Sequence, residues 1–202
     1  MSDAFVNDVG DAYAFGLWCA DGYWWSSSIG LSNVEPELIV RFGRYLLKSF
    51  DRDRLRLRIY AVPGDPPRAS VLALTDRVSI RPQFKMKRTA YHVYVNSRSL
   101  VRSFFSGRSN LSKLEPHWVG PYFAGRFDGD GNWGETPRIS YTYRDEAEID
   151  AALLAGADVE ATSVLYYTKA NEYCIYIHRR SWERFRNLVG PYSWKAVRRF
   201  TL

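Results

Sequence analysis

Apolar residues recur along the chain at two different spacings, which predict an alternation of helices and strands. Spacings of three and four residues predict helices at 9–21, 37–50, 98–105, 117–130, 145–155 and 182–189. Strict alternation predicts strands at 23–28, 28–33, 54–62, 79–87, 91–96, 138–143, 163–169 and 173–178. Each half of the chain has the order helix, two strands, helix, two or more strands, helix. The pattern predicts an α+β fold with two pseudo-symmetric αββαββα halves.

Two apolar stretches differ from the rest because each carries a small residue at every fourth place and ends in Asp-Gly. They are AFGLWCADG at Ala14–Gly22 and FAGRFDGDG at Phe123–Gly131. Residues four apart lie on one face of a helix, so each predicted helix presents a strip of small residues. The strips consist of Gly16 and Ala20 in the first helix and of Gly125 and Gly129 in the second. Such strips let two helix backbones approach closely, because no side chain holds them apart.

Each of these two helices ends in a carboxylate, Asp21 or Asp130. If the helices pack along their small residues, the two acids lie side by side at one end of the pair. Adjacent carboxylates repel unless a cation lies between them, so the pair predicts a metal site. One Asp-Gly alone more often ends a helix or forms a hairpin turn. Two copies with matching downstream features favour the metal site.

The second half of the sequence aligns with the first without gaps near the ends of the two repeats. A shift of 82 residues places Tyr91 on Tyr173 and Lys113 on Lys195. The two Asp-Gly stretches are 109 residues apart, so the first half holds 27 extra residues, which we place between residues 58 and 85. We divide the chain into a first half at 1–108, a linker at 109–117 and a second half at 118–202. The duplication predicts a monomer with internal pseudo-two-fold symmetry.

The composition narrows the class of partner. The net charge is +6 and the pI is near 9.3, which suits a polyanion. Two cysteines, Cys19 and Cys174, are too few for a disulfide framework or a zinc site. The start of the sequence has no apolar core of a signal peptide, and no apolar run of about 18 residues occurs. We therefore expect a soluble intracellular protein that does not enter a membrane.

Basic residues alternate with apolar ones in the predicted strands. In RLRLRIYAV, Arg54, Arg56 and Arg58 share one face of a strand whose other face is apolar. Three arginines on one face without carboxylates favour contact with phosphates or bases over a merely solvated edge strand. The full set of predicted DNA contacts comprises Arg54, Arg56, Arg58, Arg81, Gln83, Lys85 and Lys87 in the first half, and Arg138, Ser140, Thr142, Arg144 and Lys169 in the second.

The two Asp-Gly stretches resemble the LAGLIDADG motif of homing endonucleases, present twice. The first copy has Ala14 and Phe15 in place of Leu-Ala, and Cys19 where the family has Asp. The second copy is nearer to the motif and differs at Arg126. The resemblance extends over residues 9–195 and implies a monomeric, intron-encoded enzyme that cleaves double-stranded DNA at a long asymmetric target.

The resemblance also implies how such an enzyme is arranged. Antiparallel strands from both halves form a saddle along the major groove, and the motif helices at the interface place their acids over the minor groove. Asp21 and Asp130, with Ala20 and Gly129 beside them, would bind Mg²⁺. Mn²⁺ is a workable substitute, and Ca²⁺ is expected to support binding without cleavage.

A lysine after the last helix of each half is typical of the family, and Lys113 and Lys195 match that place. Each lysine taken alone is more often a solvated surface residue, but the pairing of the two and their spacing to the helix favour a role in the site. Two other functions on the same fold stay open, an intron maturase that binds RNA and a DNA-binding protein that does not cleave. The presence of both acids and both lysines favours the nuclease.

Overall fold

The computed structural model describes residues 6–196, with the side chains at 161–163 excepted. Contacts divide these residues into two compact units. The discontinuous unit consists of residues 6–20 and 106–196, and the continuous unit consists of Asp21–Phe105. Within residues 6–196, no helix is long and apolar enough to cross a membrane.

The helices and strands follow the predicted order. The helices are α1 Val9–Asp21, α2 Pro36–Leu46, α3 Ala69–Leu72, α4 Arg98–Ser109, α5 Pro116–Asp130, α6 Arg144–Gly156 and α7 Trp182–Val189. Short 3-10 turns occur at Leu111–Lys113 and Arg179–Ser181. The strands are β1 Gly22–Trp25, β2 Ser28–Asn33, β3 Arg56–Ala61, β4 Val78–Pro82, β5 Ala90–Asn96, β6 Gly131–Asn132, β7 Arg138–Tyr141, β8 Ala161–Tyr167 and β9 Glu172–Ile177.

The continuous unit contains a five-stranded sheet in the order β1-β2-β5-β3-β4, which we call the first sheet. Its strands pair antiparallel except β3 and β4, which are parallel. Helix α2 packs on β2 and β5. Leu57 and Ile59 of β3 are buried, and Leu57 pairs with the buried Val93 of β5. The alternation therefore separates a core face from an open face that bears the arginines of β3.

The discontinuous unit contains a four-stranded antiparallel sheet in the order β6-β7-β9-β8, which we call the second sheet. Helices α5 and α6 pack on it, and α7 packs against α5. Buried Ile139 and Ile175 pair across β7 and β9, and the rings of Phe127 and Phe185 lie 5.3 Å apart between α5 and α7. These apolar residues form the core of this unit.

The two sheets share one topology once β4 is set aside. The order β1-β2-β5-β3 repeats as β6-β7-β9-β8. The additional elements α3 and β4 lie between β3 and β5, which is where the repeat analysis places the 27 extra residues. The predicted α+β class with antiparallel sheets is confirmed, with the pairing of β3 and β4 as a parallel exception.

Several element boundaries differ from the prediction by a few residues. The strand predicted at 79–87 ends at Pro82, and Phe84 beyond it is 78% exposed. The backbone N–H of Lys85 donates to the side chain of Gln83 at 3.1 Å, so the chain turns away from the sheet. Helix α4 continues past Gly107 to Ser109. Its predicted cap holds, because the Ser97 hydroxyl accepts the N–H of Leu100 at 3.2 Å.

Candidate active site and nucleic-acid interface

Helices α1 and α5 cross with their backbones in contact within the discontinuous unit. A methyl group on Gly16 would overlap the carbonyl oxygen of Tyr122, and a methyl group on Gly125 would overlap backbone atoms of Tyr13 and Leu17. Only glycine fits at either position. The small residues thus set the separation of the two motif helices where they cross.

Two carboxylates end these helices. Asp21 is the last residue of α1 and Asp130 is the last residue of α5, and both are half-buried. An oxygen of Asp21 accepts a hydrogen bond from the side-chain amide of Asn33 at 2.7 Å. Ala20 and Gly129, the residues before them, are also half-buried. In the described part of the chain no cluster of three or more His, Cys, Asp or Glu side chains suited to a metal occurs.

Lys195 lies at the C-terminal end of α5. Its ammonium donates to the carbonyl oxygens of Phe127 at 3.2 Å, Gly129 at 3.0 Å and Gly131 at 2.8 Å. These carbonyls belong to the last turn of α5 and the residue after it, where the helix dipole favours positive charge. The ammonium therefore lies among hard oxygen donors one residue from Asp130.

Asp128 explains why Lys195 reaches this place. Its buried carboxylate accepts the hydroxyls of Tyr13 and Ser193, each at 2.6 Å. It also accepts the backbone N–H groups of Trp194 at 2.7 Å and Lys195 at 3.0 Å. Residues 193–195 are thus anchored to α5 by one carboxylate, which the sequence analysis did not single out.

Lys113 occupies a different environment from Lys195. It ends the 3-10 turn before α5, and its exposed ammonium donates to Asn110 Oδ1 at 3.0 Å. Asp130 lies at the other end of α5, a 15-residue helix that spans about 20 Å. The structure therefore brings Lys195, and not Lys113, to the carboxylate end of α5.

Arg126 is fully buried within α5. Its guanidinium donates to the carbonyl oxygen of Cys19 in α1, contacts Glu146 at 3.4 Å and Asp150 at 3.5 Å, and lies 4.3 Å from the centre of the Tyr141 ring. Arg126 thus ties α5 and the last turn of α1 to α6. The sequence marked Arg126 only as a departure from the motif.

Asp150 is the buried partner that Arg126 requires. It accepts the hydroxyls of Tyr141 at 2.7 Å and Tyr122 at 3.0 Å. Burial raises the pKa of Asp150 above its ordinary value, although Arg126 and the two hydroxyls oppose that rise. Burial also raises the pKa of the Cys19 thiol to about 12, so this cysteine is neutral and is not a nucleophile.

Three of the predicted DNA contacts lie on the open face of the first sheet. Arg56 is exposed and pairs with Tyr94 of β5. Arg58 pairs with His92, and its guanidinium lies 5.9 Å from the centre of the Tyr94 ring. Arg81 of β4 is exposed on the same face. The side chains form a cationic and aromatic surface suited to phosphates and guanine edges.

His92 lies within this surface and is uncharged near neutral pH. Burial, with the nearby Arg58, lowers the pKa of His92 from 6.5 to about 4. The ring of Tyr23 packs edge-on against it at 4.1 Å. The positive charge of this part of the open face therefore comes from the arginines.

The other predicted contacts of the continuous unit lie outside the strands. Arg54 precedes β3, and its guanidinium donates to the carbonyl oxygen of Asn96 at 3.2 Å. Gln83, Lys85 and Lys87 follow β4 in the segment that leaves the sheet, and both lysines are exposed.

The second sheet carries fewer of the predicted contacts. Arg138 and Ser140 lie on β7, on the face away from the helices. The Arg138 guanidinium lies 5.7 Å from the centre of the Tyr167 ring, and Ser140 Oγ lies 3.8 Å from Cys174 Sγ.

Three further predicted contacts lie outside this sheet. Thr142 is exposed just after β7, and Lys169 is exposed in the turn after β8. Arg144 begins helix α6 and forms a 2.8 Å ion pair with Glu148. The sequence pattern predicted that Arg144 extends the strand. Strand β7 ends at Tyr141, however, and Arg144 is the first residue of helix α6.

The mixed fold with two repeated antiparallel sheets is that of solved homing endonucleases. A structure of I-DmoI in complex with DNA and Ca matches over 96% of this chain and 97% of that chain, with TM-score 0.66 and 15% identity. I-WcaI bound to its DNA recognition sequence matches over 94% of this chain and 84% of that chain, with TM-score 0.60 and 14% identity.

A third solved structure is also similar. Full-length DUF199/WhiA from Thermatoga maritima matches over 92% of this chain and 57% of that chain, with TM-score 0.55 and 13% identity. No family model matches the sequence, and no curated protein matches it by sequence. The likeness at these identities establishes the fold of the chain.

Proposed function

We propose that this protein is a site-specific endonuclease that cuts both strands of duplex DNA with divalent metal ions. The observation that carries the proposal is the spacing of the acids from the helix crossing. Asp21 follows Gly16 by five residues, and Asp130 follows Gly125 by five residues. Because the helices cross at these glycines, each carboxylate lies the same number of residues beyond the crossing. Such symmetry suits one hydrolytic carboxylate for each DNA strand.

The residues at the end of α5 fit a hard divalent cation. Asp130 supplies a carboxylate, and the carbonyl of Gly129 already accepts a cationic group, the ammonium of Lys195 at 3.0 Å. Oxygen donors of this kind favour Mg²⁺ or Mn²⁺. We assign metal binding to Asp21 and Asp130, with the carbonyls of Ala20 and Gly129 as further donors. When bound, the metal supplies a nucleophilic water and neutralises charge on the phosphate.

The chain itself supplies the remaining parts of the reaction. Lys195 provides a fixed positive charge beside Asp130, held by Asp128 and three carbonyls. Such a charge stabilises the extra negative charge that develops on a phosphate during hydrolysis. Arg56, Arg58 and Arg81 hold the duplex through its phosphates and base edges. The solved I-DmoI and I-WcaI structures contain DNA, which supports a duplex as the ligand.

Variants at the two acids test the proposal. Wild-type protein and the Asp21→Asn and Asp130→Asn variants are incubated with DNA carrying the uninterrupted host locus, in Mg²⁺ and separately in Ca²⁺. We expect wild type to produce one double-strand break in Mg²⁺, and both variants to bind without cutting. Asp145→Asn removes an exposed carboxylate from the first turn of α6 and serves as the matched control that still cuts.

The same assay separates the alternatives. Binding of duplex DNA without a break in either Mg²⁺ or Mn²⁺ would identify a DNA-binding protein that does not cleave. Preference for the folded RNA of the host intron over the duplex would identify a maturase. If both Asn variants cut the DNA at the wild-type rate, neither Asp21 nor Asp130 would have a catalytic role.

A further inference from the structure

The open faces of the two sheets differ in charge although the sheets share a topology. The five strands of the first sheet contain Arg56, Arg58 and Arg81, and no Asp or Glu occurs within those strands. The four strands of the second sheet contain one arginine and one glutamate, Arg138 and Glu172. The first sheet is therefore cationic, and the second sheet has no net charge.

The second sheet presents apolar surface on its edge strand β8. Leu165 on β8 is 51% exposed and pairs with Cys174 of β9, which in turn pairs with Ser140 of β7. Burial raises the pKa of the Cys174 thiol, so this row carries no charge. Leu165 is the exposed member of this row, since Cys174 is buried and Ser140 is half-buried.

The charged groups of this face are engaged locally. The Arg138 guanidinium lies over the Tyr167 ring, and its hydrogen bond with Tyr176 raises the pKa of Arg138. Glu172 accepts from the Cys174 thiol at 3.6 Å. The apolar surface left for a ligand on this face of β8 is that of Leu165, with Tyr167 beside it, which is 37% exposed.

We propose, on the basis of the function assigned above, that the two sheets recognise chemically different halves of one DNA target. The first sheet binds a half-site through the N7 and O6 acceptors of guanines. The second sheet binds the other half-site through the C5-methyl groups of thymines, which contact Leu165. The target is therefore asymmetric in base composition, with guanines required on one side and thymines on the other.

The chemistry of the major groove supports this division. Guanine presents two acceptors that an arginine contacts with two hydrogen bonds, and the thymine methyl is the apolar group of that groove. Arg56 and Arg81 supply exposed guanidinium groups on the first sheet, and Leu165 supplies an exposed apolar side chain on the second. A thymine methyl packed on Leu165 leaves water, which favours binding about fourfold for each methyl group.

The test begins with a duplex selected from a random pool by the full chain in Ca²⁺. In the selected duplex, deoxyuridine replaces thymidine in one half at a time, which removes only methyl groups. In a second series, 7-deazaguanine replaces guanine in one half at a time, which removes only N7. We expect uracil to weaken binding about fourfold or more in one half, and 7-deazaguanine to weaken binding about fivefold or more in the other.

Variants assign each effect to a sheet. Leu165→Ala should abolish the penalty for uracil, and Arg56→Ala should reduce the penalty for 7-deazaguanine. Ile80→Ala removes an equally exposed apolar side chain from β4 and should leave the penalty for uracil intact. The inference is overturned if uracil has no effect in either half, if both penalties fall in the same half, or if Leu165→Ala retains the uracil penalty. If no duplex is enriched from the pool, the proposed function itself fails.

Discussion

At the scale of single residues, a buried positive charge is the least expected feature of the molecule. Arg126 lies in an apolar helix, and its partners Glu146 and Asp150 come from the next helix, α6, across two intervening strands. A sequence shows that such an arginine needs an acid, but not which acid the fold supplies. Asp128 is a similar case, because its partners at 193–195 are more than 60 residues away.

Arg126→Leu should lower the free energy of unfolding by about 3–5 kcal/mol, because Asp150 is then left buried without its ion pair. The deficit should narrow as the pH falls towards 4, since protonation removes the charge on Asp150, whose pKa burial already raises. Urea denaturation of wild type and variant at neutral and acidic pH measures this. Arg126→Leu combined with Asp150→Asn should be more stable than Arg126→Leu alone, and an equal or larger loss would contradict the account.

His92 should make stability depend on pH. The pKa of His92 is about 4 in the folded chain and ordinarily 6.5, so only the unfolded chain binds this proton between those values. The free energy of unfolding should therefore fall as the pH is lowered from about 6.5 to 4. His92→Gln should reduce this slope, which chemical denaturation at several pH values would measure. Identical slopes for both proteins would show that His92 does not titrate as described.

At the scale of elements, the pattern of apolar residues predicted the type of nearly every long helix and strand. Helix α1 spans the predicted residues Val9–Asp21. Two of the boundary errors occur where alternation continues after pairing has stopped, at Pro82 and at Tyr141. Apolar periodicity records which side chains face a core, but pairing depends on a neighbouring strand that only the fold provides. For the same reason, the pattern could not predict that β3 and β4 pair in parallel.

The helix crossing can be tested with a pair of glycine substitutions. Gly125→Ala should lower the free energy of unfolding by about 2 kcal/mol or more, because the added methyl group overlaps the backbone of α1. Gly156→Ala, at the end of α6, meets no atom within 4 Å and should stay within about 1 kcal/mol of wild type. Thermal denaturation of both variants measures the difference. Equal stabilities would contradict a close crossing at Gly125.

At the scale of the whole molecule, the sequence indicated two repeats, a basic protein and two helix-terminal acids. The order of strands in both sheets agrees with the duplication, and the additional α3 and β4 occupy the predicted insertion. The repeat places Lys113 and Lys195 at equivalent positions in the sequence, but only Lys195 lies at the C-terminal end of α5. This difference could not be predicted, because a repeat in sequence does not determine which end of a helix a loop contacts. Lys195 is held by Asp128 in α5, whereas the ammonium of Lys113 donates to Asn110 three residues before it.

Binding to duplex DNA should weaken as salt increases, because basic side chains displace counterions from phosphates. Lys85→Ala removes an exposed ammonium and should reduce the slope of log affinity against log salt by about 0.9, the change expected when one phosphate contact is lost. Arg144→Ala serves as the control and should leave the slope unchanged, because Arg144 lies on α6 in an ion pair with Glu148. Fluorescence anisotropy at several salt concentrations measures both slopes. If Arg144→Ala alone reduced the slope, the DNA would contact the side of the second sheet that α6 covers, and the account would be wrong.

The most direct measurement of the central claim is a single-turnover experiment on supercoiled plasmid that carries the target. Protein is bound to the plasmid in Ca²⁺, and excess Mg²⁺ is then added to start cleavage. Wild type should convert the plasmid to the linear form, whereas Asp130→Asn should stay bound and leave one or both strands intact. Linear product from Asp130→Asn at the wild-type rate would contradict the account.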